Sequence, residues 1–188
     1  MEGALAYLKG SLADGHVYDL NKRIRIVVRQ KNKEWLENTI APILKDVSGK
    51  NPKILRTPDG IYIIYVYIHK NNLDSDVLNI LMKPLNEVKF DTLSDEISFL
   101  RGFFDAEGSI YKNKNKKSDI RVIMYQKDKK ILEYTQYILQ RLEIRAKIYG
   151  PYKNGTNNIF RLIVFTWRNV EKFLKHVGTS NKVKFNLL

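Results

Sequence analysis

Apolar positions along this chain recur at helical spacing, then at alternate positions, and the whole order then returns. Leu5 to Ala13 is dense in apolar residues and predicts a helix. Alternation takes over at His16 to Tyr18 and Ile24 to Gln30, predicting strands paired across a turn at Asp19 to Lys22. Trp35, Leu36, Ile40, Ile43, Leu44 and Val47 restore the helical period over Lys33 to Asp46, with a kink expected at Pro42. Lys53 to Arg56 and Ile61 to Ile68 predict a hairpin across Thr57-Pro58-Asp59-Gly60, and Leu73 to Leu81 a helix ending before Pro84. The second passage runs alike: a helix over Ser94 to Ala106 capped by Ser94, strands at Ser109 to Lys112 and Ile120 to Gln126, and a helix over Lys129 to Leu142. Strands at Ala146 to Tyr152 and Asn158 to Thr166 and a helix over Arg168 to Val177 complete it. The pattern predicts an α+β fold, helix-strand-strand-helix-strand-strand-helix twice, with residues 1–85 as one half, 86–93 as a linker and 94–188 as the other. The run Ile61 to Ile68 reads as sheet core rather than a base-stacking platform.

Each half opens on a helical phrase ending in an acid and a glycine. The copies are Ala6-Tyr7-Leu8-Lys9-Gly10-Ser11-Leu12-Ala13-Asp14-Gly15 and Phe99-Leu100-Arg101-Gly102-Phe103-Phe104-Asp105-Ala106-Glu107-Gly108. Gly15 and Gly108 are expected to close their helices in the left-handed conformation. A carboxylate at the last turn of a helix faces the negative end of the helix dipole. Two such acids in matched contexts call for a cation between them. The segments that follow, Arg25 to Leu36 and Arg121 to Leu132, align without a gap, with Gln30 and Gln126 at one shared position. Val88-Lys89-Phe90 and Val183-Lys184-Phe185 echo each other at the ends of the halves.

Charge narrows the partner. The net charge is +13, with 14 basic and 11 acidic residues before Ser94 and 19 and 9 from there on, or +3 and +10. Lys22, Arg23, Arg25, Arg29, Lys112, Lys114, Lys116, Lys117 and Arg121 fall in or beside the first hairpin of each half. Arg23, Arg25, Val27 and Arg29 project from one face of a strand, and a twisted ribbon studded this way can lie in the major groove of DNA. The chain has no cysteine, which removes disulfides and thiolate metal sites. His16, His69 and His176 lie far apart without metal-ligand spacing. Gly60-Ile61-Tyr62 with Tyr67-Ile68 is too compressed for a GIY-YIG nuclease, and no glycine-rich phosphate loop occurs. No apolar run is long enough to span a bilayer and the N-terminus lacks signal-peptide features, so an intracellular, non-secreted protein without a membrane partner is expected.

On these residues the chain resembles a two-motif, single-chain LAGLIDADG homing endonuclease over essentially its whole length. The second copy matches closely, with Gly102, Asp105, Ala106, Glu107 and Gly108 in register; in the first copy Gly10 falls one residue late. The resemblance implies motif helices packed at a pseudo-twofold axis through Gly10, Ala13, Gly102 and Ala106, with both sheets forming a DNA-binding saddle. It implies a monomer that hydrolyses both strands of a long, near-asymmetric duplex site. Asp14 and Glu107, with the carbonyls of Ala13 and Ala106, would hold Mg²⁺, Mn²⁺ being a plausible substitute. Gln30 and Gln126 would order water at the edge of the site, and Lys89 and Lys184 would complete it. The saddle extends the DNA contacts to Lys31, Lys53, Arg56, Tyr125, Lys127, Lys147, Tyr152 and Lys153. Asp105 is expected to be structural. The alternatives are a maturase binding host intron RNA and an inactive DNA-binding protein of the same fold; retention of both acids favours the nuclease, because a pure binder of phosphate gains nothing from them.

Overall fold

The alternation of Ile24, Ile26 and Val28 with Arg23, Arg25 and Arg29 sorts the first sheet as period two dictates: the aliphatic set is buried and the basic set faces outward. The computed structural model describes residues 3–113 and 119–185. Helix α1 (Ala4–Ser11) ends in a 3₁₀ turn (Leu12–Asp14) and leads into β1 (Gly15–Leu20) and β2 (Arg23–Gln30). Next come α2 (Lys33–Trp35), α3 (Ala41–Ser48), β3 (Lys53–Arg56), β4 (Tyr62–His69) and α4 (Ser75–Met82). The second half comprises α5 (Leu93–Glu107), β5 (Gly108–Lys112), β6 (Ile120–Gln126), α6 (Lys129–Arg141), β7 (Ala146–Asn154), β8 (Asn157–Phe165) and α7 (Trp167–His176). A short α8 (Lys182–Phe185), absent from the expected pattern, ends the described chain.

The sheets share one topology, β1-β2-β4-β3 and β5-β6-β8-β7, all neighbours antiparallel. Each covers its own core. Leu8, Ile26, Trp35, Leu44 and Ile64 belong to the first, and Phe99, Phe103, Leu139, Leu162 and Phe173 to the second. At about 25 cal/mol per Å², a buried side chain of this size contributes roughly 1.5–3 kcal/mol against exposure. Between the cores run α1 and α5. A Cβ on Gly10 would lie 2.1 Å from the Phe99 carbonyl oxygen, and one on Gly102 would lie 2.1 Å from that of Tyr7. The helices therefore meet backbone to backbone, and Ala106 adds a small buried side chain to the same helix.

Four local expectations change. The cap of α5 is Thr92, whose hydroxyl accepts from the Asp95 N–H at 3.1 Å, and Ser94 lies inside the helix. Pro42 cannot donate to the Asn38 carbonyl, and the helix before it widens into a π turn over Leu36–Ile40. Gly15 and Gly108 are extended, at φ −150° and −89°, so they are not left-handed caps. Space demands them instead: a Cβ would meet the Val27 carbonyl oxygen at 2.4 Å and the Phe104 ring at 2.0 Å. Finally, β4 is core on one face only. Ile64, Val66 and Ile68 are buried while Tyr65 and Tyr67 lie on the outward face beside the arginines. No helix of the described residues is long and apolar enough to cross a membrane.

Candidate active site

Two acids meet where the motif helices end. Asp14 closes the 3₁₀ turn after α1 and Glu107 is the last residue of α5, and their carboxyls lie within hydrogen-bonding reach of each other. The copies reach this point by different routes. From Gly102 to Glu107 is five helical residues, whereas from Gly10 to Asp14 is four, three of them in the 3₁₀ turn. At about 1.5 Å per α residue and about 2.0 Å per 3₁₀ residue, both paths advance about 7.5 Å. The stretched turn makes up for the late glycine.

Burial raises both carboxyls above their ordinary values. Glu107 is pushed up to about 7, first by desolvation, then by the charge of Asp14, with the Lys184 ammonium working against the shift. Asp14 is raised by burial and pulled back by Lys184 and by hydrogen bonds from Glu107 and Gln30. Two carboxyls sharing a proton form an oxygen-rich pair that a hard divalent cation would satisfy. That donor set fits Mg²⁺ or Mn²⁺; no group of three or more His, Cys, Asp or Glu with metal-holding geometry occurs among the described residues, so these two acids would be the side-chain ligands.

The supports around the acids are unequal. Gln30 Nε2 donates to Asp14 Oδ2 at 2.8 Å, and its Oε1 accepts from the Lys31 N–H at 2.9 Å. Gln126 Oε1 accepts from the Lys127 N–H at 2.7 Å, and among the described residues no bond joins it to Glu107. Lys184 donates to the Phe104 carbonyl at 2.7 Å and to that of Gly108, and its ammonium is drawn down to about 8 by burial. Lys89 is exposed and does not join the pair. Its neighbour Phe90 packs on Phe99, eight residues and about 12 Å of helix before Glu107. The echo that suggested both lysines is one of letters only: Val88 is buried and Val183 is 54% exposed.

Asp105 faces a buried polar network. It accepts from the Tyr7 hydroxyl at 2.5 Å, the Thr179 hydroxyl and the Ser180 N–H at 2.9 Å, and Trp35 Nε1 donates to Tyr7 at 2.8 Å. Burial and Asp105 push the Tyr7 phenol far up, and burial also raises Asp105. Asn181 extends the network. It donates to the Asp105 carbonyl at 3.3 Å and accepts from Asn32 at 2.6 Å, while Lys182 reaches Glu34 at 3.3 Å. Residues 179–184 thus strap the end of α5 to the start of α2. No sequence signal marked Asn181, since its partners lie 76 and 149 residues away.

Clefts open on both sides of the acids. One of about 670 Å³ is lined by Asp14, Gln30, Arg29, Lys31 and Tyr18. Another of about 640 Å³ lies between Gln30 to Glu34 and Ala106, Gly108 and Lys184. Beyond them the outward sheet faces carry the basic residues. Lys22, Arg23, Arg29, Lys31, Lys53 and Arg56 are exposed in the first half, and Lys112, Tyr125, Lys127, Lys147, Tyr152 and Lys153 in the second. Arg25 lies 4.4 Å over the Tyr18 ring, whereas its counterpart Arg121 is held by Asp119 at 2.8 Å. Lys114, Lys116 and Lys117 lie outside the described residues. Arg161, not foreseen, stands 4.3 Å over Tyr152 and opposite Tyr125; continuing the β8 alternation through Arg161, Ile163 and Phe165 would have found it.

Residues 94–178 match the model of the LAGLIDADG-like domain. The chain is similar to the homing endonuclease I-ApeI of Aeropyrum pernix, at 27% identity across 98% of this chain and 85% of that protein. Its fold is that of I-DmoI in complex with DNA and Mn, with a TM-score of 0.68 at 21% identity over 94% of this chain and 96% of the other. The homing endonuclease I-WcaI bound to its DNA recognition sequence superposes with a TM-score of 0.63 at 16% identity, covering 100% and 87%.

Proposed function

We propose, from the premise that this chain belongs to the LAGLIDADG family and carries both motifs in one polypeptide, that it is a site-specific homing endonuclease cutting both strands of a double-stranded DNA target with a divalent cation, Mg²⁺ by preference. The observation that carries this reading is the pair of acids, one from each half, brought together where two basic sheets converge. The similar relative I-ApeI is a homing endonuclease, and so are I-DmoI and I-WcaI, whose structures of like fold are complexes with DNA.

The outward arginines and lysines bind backbone phosphates and reach base edges, positioning one phosphodiester of each strand over the acids. Asp14 and Glu107 would hold the cation, with the carbonyls of Ala13 and Ala106 as further donors. When bound, it lowers the pKa of attacking water and stabilises charge on the scissile phosphate. Gln30 fixes the Asp14 carboxylate and orders water beside it, and Gln126, which does not bond Glu107, would order water on that side of the pair. Lys184 balances the two negative charges and holds the end of α5. Because one chain supplies both halves, a monomer suffices and the target need not be palindromic.

Incubating the protein with randomised duplex DNA and Mg²⁺ and sequencing the cut ends tests this directly. A discrete cleaved sequence is expected, and its disappearance on chelation. Cleavage persisting in excess chelator would sink the metal assignment; binding of duplex DNA or intron RNA without any cutting would favour the alternatives.

A further inference from the structure

A broad groove lies away from the acids. It measures about 880 Å³ and runs between the end of α6, the start of β7 and the start of α7. Four of its lining residues are basic, Arg145, Lys147, Arg168 and Lys172, against one acid, Glu143. Glu143 pairs with Lys172 at 3.1 Å, and no ion pair engages Arg145, Lys147 or Arg168 among the described residues. Asn169 shapes the floor: its Oδ1 accepts from the Arg145 N–H at 3.1 Å and its Nδ2 donates to the Phe165 carbonyl at 3.1 Å. The groove is therefore a fixed, positively charged concavity, and Trp167 beside Arg168 is 55% exposed.

Its place in the fold identifies an occupant. Lys147 and Phe165 lie on the outward face of the second sheet, in register with Ile163 and Arg121, so the groove continues that basic face around the edge strand β7. Phe165 pairs with Arg121, three residues along β6 from Met124, the partner of Gly108. At about 3.4 Å per residue, Phe165 at the edge of the groove sits about 10 Å farther along the strand direction than the start of β5 beside the acids. The first half is charged differently at the start of the matching helix. The helix matching α7 there is α4, whose start carries Asp74 and Asp76, with the Asp74 side chain accepting the Asp76 N–H at 2.8 Å.

We propose that this groove grips the sugar-phosphate backbone of the duplex on the flank covered by the second half, so that the footprint is longer on that side. The proposal rests on the endonuclease reading. The test uses the intact protein and the duplex selected by its own cleavage, trimmed stepwise from either end, with binding followed by anisotropy in the absence of divalent cation. Trimming one end is expected to weaken binding about tenfold at lengths where trimming the other has no effect. An Arg145→Gln/Arg168→Gln variant should bind the full duplex about tenfold more weakly, lose about 2 from its salt slope and become indifferent to trimming at that end. Its thermal unfolding should match the wild type, since both side chains are exposed. Equal sensitivity at the two ends, or an unchanged salt slope in the variant, overturns the groove while leaving the nuclease standing. A protein that selects no duplex at all overturns the nuclease reading and the groove's occupant together.

Discussion

In α1 a basic residue precedes the contact glycine, Lys9-Gly10, and in α5 the same pair recurs as Arg101-Gly102. Each base reaches the C-terminal end of the helix that follows the second hairpin of its own half, α4 or α7. Lys9 Nζ donates to the Leu81 carbonyl at 3.0 Å and to that of Lys83, and Arg101 Nε donates to that of Val177. A cation at a helix C-terminus meets the negative end of the dipole, so both contacts are favourable. At the acids the two helices part company. Asp14 is bonded by Gln30 from a neighbouring strand, while Glu107 ends a helix held by Lys184 and Asn181 from the far end of the chain. Backbone approach and helix capping obey the pseudo-twofold, and the side chains nearest the chemistry do not.

The largest effects should come from the acids. Asp14→Asn and Glu107→Gln are each expected to lower double-strand cleavage at least about a thousandfold with DNA affinity retained. Nicking assays on strand-labelled target sharpen the comparison. If the acids serve separate strands, each variant spares a different strand; if the pair is one shared site, both variants lose both. A variant that cuts both strands at the wild-type rate would remove its residue from the site.

Next come the glycines, where the halves should respond alike. A Cβ at either Gly10 or Gly102 would sit 2.1 Å from a backbone carbonyl of the opposing helix, and backbone cannot rotate aside as a side chain can. Gly10→Ala and Gly102→Ala should each cost about 3 kcal/mol, or roughly 6–12 °C in Tm for a chain of this length. Unequal losses in calorimetry would show that the interface is less symmetric than its backbone.

These contacts also mark how far the sequence was legible. The repeated acid-glycine phrase pointed to two residues that the fold brings together, because a helix stop and an acid are local in sequence. Strand alternation led to the basic faces for the same reason, and missed Arg161 only where it was not followed into β8. The reason for Gly15 and Gly108 was misread, since steric room depends on Val27 and Phe104 and not on the glycine's own backbone. Lys184 and Lys89 came from one echo and fared differently, because the environment of a side chain is set by what folds over it. The strap of residues 179–184 was invisible for that reason.

The supports of the acids should give smaller, one-sided effects. Gln30→Ala removes the bond to Asp14 and is expected to slow cleavage about tenfold, whereas Gln126→Ala, bonded only to its own chain neighbour Lys127, should slow it less. Asn181→Ala removes the bridge between Asp105 and Asn32 and should cost about 1 kcal/mol of stability from the buried partners it leaves unpaired. Equal effects of the two glutamine variants would mean that their sites become alike when DNA is bound.

The smallest difference lies in the paired bases, and pH separates them. Lys9 is buried and desolvation draws its ammonium from 10.5 down to about 8, whereas an arginine stays charged throughout. Below pH 8 Lys9 carries its proton folded and unfolded, and the burial cost is present in full. Between 8 and 10.5 the unfolded chain keeps a proton that the folded chain releases, so stability rises with pH in that window. Integrated from pH 8 to 9 the gain is about 1 kcal/mol. Lys9→Met should remove this share of the slope in denaturant unfolding, leaving the share of Lys184, whose ammonium burial also draws down to about 8, and Arg101→Met should leave both. A slope left at its full wild-type value by Lys9→Met belongs to Lys184 alone. One that disappears in both variants would mean that the two helix latches open together, and that the motif helices are coupled more tightly than their separate cores suggest.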